Sequence, residues 1–244
     1  MLSRQQDAYG FIIEQRAKGI AAPEIIERDD GYVRLSSGAP AYFAPFEEWP
    51  AHQRRAMGFV RGRVLDAGVG AGRVSLHLQE RGHEVLGIDW SPGAVRVARQ
   101  RGVPARVMKL TGLTKKLGPF DTVVMMGNNF GLLESERRGR WLLRRLHGLT
   151  SEKGRIVAES RDTSAPTVTD HRRYHRLNLE RGRMRGQLRM RVRSGSTCTP
   201  WFDYLLVSPA EMRRLVRGTG WRVARLLPAR GDSMYAAVLE KERA

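Results

Sequence analysis

The feature that most limits what this chain can fold into is an apolar run that breaks into alternate glycines. It reads Val64-Leu65-Asp66-Ala67-Gly68-Val69-Gly70-Ala71-Gly72, with helical spacing from Arg73. A strand that turns through glycine into a helix brings bare backbone amides and a helix N-terminus to a ligand, because no Cβ blocks the approach. Seventeen residues past Gly72, the next aliphatic run ends at Asp89 in GIDWSP. A carboxylate there can accept two hydrogen bonds from a ribose diol. A dinucleotide fingerprint starting at Gly68 needs glycine at position 73, which is Arg73. The pattern therefore predicts a nucleoside site without a pyrophosphate turn.

The rest of the chain extends that unit. Short β-type runs at 63–66, 84–89, 104–108, 121–126, 154–160, 221–227 and 234–240 are interleaved with helical stretches, including 132–148 and 208–218. Such alternation specifies an α/β sheet, mostly parallel, with helices on both faces. Only PARGDS separates the last two runs, so the final strand must be antiparallel to its neighbour. Residues 171–207 break the alternation. GQLRMRVR at 186–193 places Leu188, Met190 and Val192 on one face and three arginines on the other, a half-buried strand with TPWFDYLLV (199–207) as its hairpin partner. Before the glycine loop, 3–18 and 47–60 read as helices around the turn-rich DDGYVRLSSGAPAYFAP.

Asp66-x-Gly68-x-Gly70-x-Gly72, then Asp89, then FDTVVMM at the fourth strand resemble the class I S-adenosylmethionine (SAM)-dependent methyltransferases. The resemblance covers roughly residues 50–160 and the terminal hairpin. It implies a seven-stranded Rossmann-like sheet with an antiparallel last strand, an N-terminal helical lid at 1–60, and a SAM-binding domain at 61–244 with an antiparallel β insert at about 165–207 after the fifth strand. It also implies that SAM lies over the carboxyl ends of the first, second and fourth strands, leaving S-adenosylhomocysteine as product. Asp66 and the Gly68, Gly70 and Gly72 loop would hold the cofactor's methionine end, Asp89 its ribose, and Trp90 would flank the adenine. Gly127 closes the cofactor set. The family places an acidic or polar residue after the third strand, but here the run is Val107-Met108-Lys109-Leu110-Thr111. Adenine contact then falls to backbone near Leu110, or Lys109 points outward.

Methyl transfer from a sulfonium requires an acceptor lone pair about 3 Å from the methyl carbon and exclusion of water, with a base only when the acceptor arrives protonated. The fourth strand ends in Gly127-Asn128-Asn129-Phe130, lacking the prolines of the Asn-Pro-Pro-aromatic motif of nucleic-acid amino-methylating enzymes. It resembles instead the turn of the glycine N-methyltransferase-like small-molecule subgroup. By that likeness Asn128 and Arg161 bind substrate, the guanidinium matching a carboxylate. The alternative for Arg161 is an ion pair with Asp162 or a neighbour. His171 is the candidate proton acceptor, with Tyr174 beside it, and the competing reading is a hydrogen-bonded loop residue. Tyr204, with Trp201 and Phe202, walls either a pocket or the core. Tyr32, Tyr42 and Trp49 cap the cofactor or pack.

Charge supplies the rival. Lys+Arg 43 against Asp+Glu 25 gives +18, and all but six of the bases are arginine. Residues 171–193 hold nine arginines against Glu180 alone. A face of Arg189, Arg191 and Arg193 could track phosphates, so an rRNA or tRNA methyltransferase is the alternative to a small-molecule enzyme. A non-catalytic SAM-binding protein is the third reading. One cysteine, Cys198, excludes an internal disulfide framework and a multi-thiolate metal site. No leader or membrane-spanning run is seen, so the expectation is a cytoplasmic enzyme acting on nitrogen or oxygen of a small, carboxylate-bearing acceptor, with no metal and no membrane partner.

Overall fold

The computed structural model describes residues 1–36, 38–164 and 168–242. The elements in chain order are α1 (Ala8–Ala17), β1 (Glu24–Arg28), β2 (Val33–Ser36), α2 (Ala51–Met57), β3 (Val64–Ala67), α3 (Arg73–Glu80), β4 (Val85–Asp89), α4 (Pro92–Gln100) and β5 (Ala105–Val107). There follow β6 (Phe120–Met125), α5 (Glu136–His147), β7 (Thr150–Arg161), α6 (Thr169–Glu180), β8 (Gly186–Ser194), β9 (Thr197–Cys198), β10 (Phe202–Leu206), α7 (Pro209–Val216), β11 (Trp221–Pro228) and β12 (Met234–Lys241). Among the described residues, seven strands form one sheet in the order β11-β12-β7-β6-β3-β4-β5. β12 is antiparallel to both β7 and β11, while β6 runs parallel to β7. This is the expected sheet with its reversed last strand. A second sheet has the order β10-β8-β1-β2, with β9 paired to β8.

By packing, the chain divides into two compact units. The first comprises Met1–Trp49, Leu65–Gly112 and Arg189–Phe202, and the second Pro50–Val64, Leu113–Leu188 and Asp203–Ala244. In the first, α1 lies directly on α4. A Cβ at Gly93 would fall 2.7 Å from the Gly10 Cα, so the two backbones meet where neither has a side chain. Asp7 joins them: its carboxylate caps α1 through Gly10 N (3.0 Å) and reaches Gly93 N in the first turn of α4 (2.7 Å). In the second unit, α5 presents Leu142, Leu143 and Leu146 inward, and Trp221 is buried with its indole N–H donating to Leu143 O at 2.9 Å.

Two expectations change. The turn-rich N-terminal stretch contains a hairpin: Ile25 pairs with Leu35 in β2 and, on its other edge, with Arg193 in β8. Four- and five-residue strands leave too short a period to read, and Val33 and Leu35 are exposed on the edge strand, which blurs the alternation. Residues 169–180, expected in the antiparallel insert with His171 and Tyr174 on a loop, form helix α6. Its buried side consists of Tyr174 and Asn178 alone, four residues apart and flanked by charge, so no apolar stripe announces it. The strand and hairpin expected at 186–207 are present as β8, β9 and β10. The start expected for the insert, 165–167, lies outside the described residues. Among the described residues no helix is long and apolar enough to cross a membrane, and no group of three or more His, Cys, Asp or Glu is placed to hold a metal.

Candidate active site

In the first unit the chain leaves β3 through glycines in the left-handed region: Gly68 at φ 86°, Gly70 at 53° and Gly72 at 84°. Side chains rarely adopt that conformation, which explains why three alternate positions are glycine. At Gly72 space is short as well, since a Cβ would stand 2.9 Å from Val103. The loop is pinned by Gly68 N and Val69 N, both donating to Ile88 O. Asp89, at the end of β4, then spans two loops: Oδ2 accepts from Gly70 N and Oδ1 from Ser91 N, each at 3.0 Å. The Trp90 amide also donates to this carboxylate. Asp66 is buried in the same unit and accepts from Ser75 Oγ at 2.7 Å.

Both acids are pushed up to about 6. Desolvation is the main cause for each, and Asp66 is further raised by Asp89, and Asp89 by Asp7, against the opposing hydrogen bonds. Trp90 meets Phe202 edge-on at 5.4 Å, and the Lys109 ammonium sits 5.2 Å over the Trp90 ring. Lys109 therefore turns onto Trp90, and Leu110 is buried behind it. Tyr42 hangs beside the loop, its hydroxyl held by Glu24 at 3.0 Å.

In the second unit the acid Glu159, on β7, is wholly buried and accepts four hydrogen bonds. His52 Nε2 (2.5 Å) and Gln53 Nε2 (2.8 Å) reach it from α2, and Gly127 N (2.6 Å) and Asn128 N (3.1 Å) from the turn after β6. Burial alone would raise its pKa, but the His52 and Gln53 hydrogen bonds, the charge of His52 and the turn amides hold it below the usual range. The turn needs this anchor because Asn128 is itself left-handed, at φ 64°. Tyr204 completes the corner. Its hydroxyl donates to Asn128 O at 2.7 Å, and its ring covers Gly131, where a Cβ would lie 2.3 Å away. Asn128 Oδ1 is buried there with no hydrogen-bond partner among the described residues.

A family profile described as "Methyltransferase domain" matches residues 64–154, the stretch that holds the glycine loop, Asp89 and the β6 turn. A 2-heptyl-1-hydroxyquinolin-4(1H)-one methyltransferase of Mycobacteroides abscessus is 38% identical over 74 residues, 28% of this chain and 33% of that one. A glycine/sarcosine N-methyltransferase of Parasynechococcus marenigrum is 33% identical over 126 residues, 49% of this chain and 40% of that one. The chain thus spans well under half the length of these curated relatives. Among solved structures, a SAM-dependent methyltransferase from Bacteroides fragilis in complex with S-adenosyl-L-homocysteine superimposes with TM-score 0.82 at 23% identity, covering 100% of this chain and 98% of that one.

Residues 64–154 thus match a methyltransferase-domain family, and the chain has the fold of that SAM-dependent methyltransferase.

Of the cofactor residues read from sequence, Asp66, Gly68, Gly70, Gly72, Asp89, Trp90 and Leu110 lie in the first unit, whereas Gly127 does not. Gly127, Asn128, Arg161, His171, Tyr174 and Tyr204 lie in the second. Asn128 and Tyr204 are in direct contact. Arg161 stands apart from them in its bonding, for its Nη1 donates to Ser233 Oγ (2.8 Å) and Asp232 Oδ1 (3.3 Å) on the β11–β12 turn. That is the ion-pair alternative, with a partner other than Asp162. His171 is half-exposed in the first turn of α6, and Tyr174 is buried at 2% exposure. Trp49 is buried beneath the Arg73 guanidinium. Sequence reasoning missed Glu159, His52 and Gln53. The one available signal was an acid closing the apolar run Ile156-Val157-Ala158-Glu159. It missed Asp7 for want of any local pattern beyond an N-cap residue.

Proposed function

We propose that this chain transfers a methyl group from SAM to a nitrogen or oxygen of a small molecule, and that an N–H group on the acceptor is what the β6 turn recognises. The observation that carries the cofactor reading is Asp89, a desolvated carboxylate at the end of β4 aligned beside the glycine loop by the Gly70, Ser91 and Trp90 amides. The fit to SAM rests on this chain's own residues: left-handed glycines leave the loop without Cβ atoms, although the Gly68, Val69, Gly70 and Gly72 amides already donate within the fold, and a ribose diol suits the Asp89 carboxylate. When bound, SAM supplies an electrophilic sulfonium methyl. The chain's residues bind and orient: Asp89 accepts the diol, the side-chain-free surface of the Gly68–Gly72 loop meets the methionine end, and Tyr42 keeps water off the loop.

On the acceptor side the support is the buried, unpartnered Asn128 Oδ1, since a buried acceptor without a donor is costly unless a ligand supplies one. Glu159 and Tyr204 hold that residue by its backbone, so the side chain is aimed without being used. The names of the relatives, a quinolone and a glycine/sarcosine methyltransferase, fit a small acceptor. His171 is the candidate proton acceptor. A carboxylate on the substrate would have to displace Asp232 to engage Arg161. Arg191 and Arg193, on which the RNA alternative leans, are both drawn onto Glu27 at 2.5 and 2.7 Å, so that reading is not carried further.

The test is incubation with methyl-labelled SAM and pools of amines, N-heterocycles, hydroxy compounds and RNA, with product identified by mass spectrometry. The reading expects label on an N–H compound, lost in Asn128→Ala while SAM affinity is kept. Label on RNA alone would contradict it.

A further inference from the structure

The arginine run at 171–193 plays no part in the proposed reaction, and the structure splits it. Arg191 and Arg193 end in ion pairs with Glu27. Arg183 and Arg185 go elsewhere: with Arg214 of α7 they line a cleft of about 350 Å³ in the second unit. Its apolar wall is Leu179, Met184 and Ala210, and Leu179 is among the large hydrophobic side chains left exposed.

The cleft is braced. Asn178, buried at 1% exposure, spends both Nδ2 hydrogens on the connection between α6 and β8, donating to Arg185 O at 3.0 Å and Gln187 O at 2.8 Å, while its own carbonyl accepts from Arg183 N. Gly186 closes the turn so tightly that a Cβ would lie 2.2 Å from Leu206 O. Arg185 Nη1 is tied to Ser164 O at 3.2 Å. The backbone under both arginines is therefore fixed before any ligand arrives.

The positive charge is only partly offset, three arginines facing one glutamate in the lining. Glu211 is the acid on the cleft wall, and its Oε2 is committed to capping α7: it accepts from Ser208 N (2.8 Å), Ser208 Oγ (2.9 Å) and Thr163 Oγ1 (3.3 Å). Arg214 has a loose contact with Glu136 at 3.9 Å, both side chains largely in water, which is worth little. Among the described residues no carboxylate pairs with Arg183 or Arg185. Three guanidinium groups beside an apolar wall, two of them on a fixed turn, suit an anion attached to hydrocarbon.

We propose that this cleft is a second ligand site, for a small amphipathic anion with a carboxylate or phosphate-monoester head and an apolar body. It is independent of the methyl-transfer reading, since none of its residues belongs to the cofactor set or the Asn128 corner.

The test is calorimetric titration of the whole chain at physiological ionic strength with hexanoate, hexyl phosphate, inorganic phosphate and hexylamine. The expected result is saturable one-to-one binding of a hexyl anion, weaker binding of inorganic phosphate and none of hexylamine. The better of hexanoate and hexyl phosphate identifies the head group. Arg183→Ala/Arg214→Ala should weaken binding by about tenfold or more, as loss of charge-assisted contacts implies. Arg137→Ala/Arg230→Ala, which removes the same charge from exposed positions elsewhere, should leave it unchanged, and SAM affinity should be equal in both variants. If the first variant does not fold, Leu179→Glu places an acid in the cleft from an exposed position and should produce the same loss. Equal weakening in the two double variants would reveal only the general attraction of a chain of charge +18, and overturns the proposal. So does binding that never saturates, or that no cleft variant changes.

Discussion

Asp66 in the first unit and Glu159 in the second are both strand carboxylates shut away from water, yet they titrate in opposite directions. Among the described residues Asp66 has only Ser75 as a hydrogen-bond partner, through its hydroxyl and its amide, with Arg73 nearby, and desolvation together with the repulsion of Asp89 pushes it up to about 6. Glu159 has an imidazole, a side-chain amide and two backbone amides, and is held below its ordinary value although it too is desolvated. Burial is the same; the supply of donors differs. The second unit has satisfied its acid completely and uses it as a fastener for the Gly127–Asn128 turn. The first has left Asp66 and Asp89 desolvated with their hydrogen bonds too few to offset it, Asp66 repelled by Asp89 and Asp89 by Asp7, a state that a donor-bearing, cationic ligand relieves.

The comparison can be broken most forcefully at Glu159. Glu159→Ala leaves His52, Gln53 and two turn amides without their acceptor and should destabilise the protein by about 3–5 kcal/mol in chemical denaturation, as breaking a buried charged network does. A loss below about 1 kcal/mol would mean that the four hydrogen bonds are not a structural unit. Asp66→Asn should do the reverse. Because the folded-state pKa of Asp66 is raised, its ionised form costs stability as pH rises from the ordinary value of 3.8 through about 6. The variant should therefore gain about 3 kcal/mol over the wild type above that window and nothing below it. A gain independent of pH would refute the assignment. Glu159 has the opposite sign: with its folded pKa lowered, it contributes stability above its ordinary 4.5 that is lost as pH falls through the folded value.

A smaller effect sharpens the contrast at the cofactor. If the ribose requires ionised Asp89, SAM affinity should fall by about tenfold one pH unit below 6, and level off above it. Titrations at several pH values would show this, and a flat profile would separate Asp89 from the diol. Smallest of all, Tyr204→Phe removes the hydroxyl bond to Asn128 O and should cost about 0.5–1.5 kcal/mol of stability while leaving SAM affinity alone.

Local patterns carried most of the fold into the sequence. The glycines at 68, 70 and 72 and the acid at 89 lie within one strand-loop-helix-strand stretch, so spacing alone exposed them. The six-residue link PARGDS sufficed to reverse β12. What stayed hidden depends on residues far apart in the chain. His52 and Glu159 are 107 positions apart and neither lies in a motif, so the fastener of the β6 turn had no signature. The same holds for Asp7 reaching Gly93, 86 positions away. Helix α6 and the β1–β2 hairpin escaped for another reason: each buries too few apolar side chains to impose a period. Arg161 shows the limit of reading a residue type at a family position, because Asp232 and Ser233 reach it from a turn that spacing could not place.

The most direct test is calorimetric titration of the wild type and Asp89→Ala with SAM and with S-adenosylhomocysteine. One-to-one binding of both ligands to the wild type is expected, abolished by the substitution, with the far-ultraviolet circular dichroism of the variant unchanged. Wild-type protein that binds neither ligand, or a folded Asp89→Ala variant that binds them as tightly as the wild type, would contradict the cofactor reading.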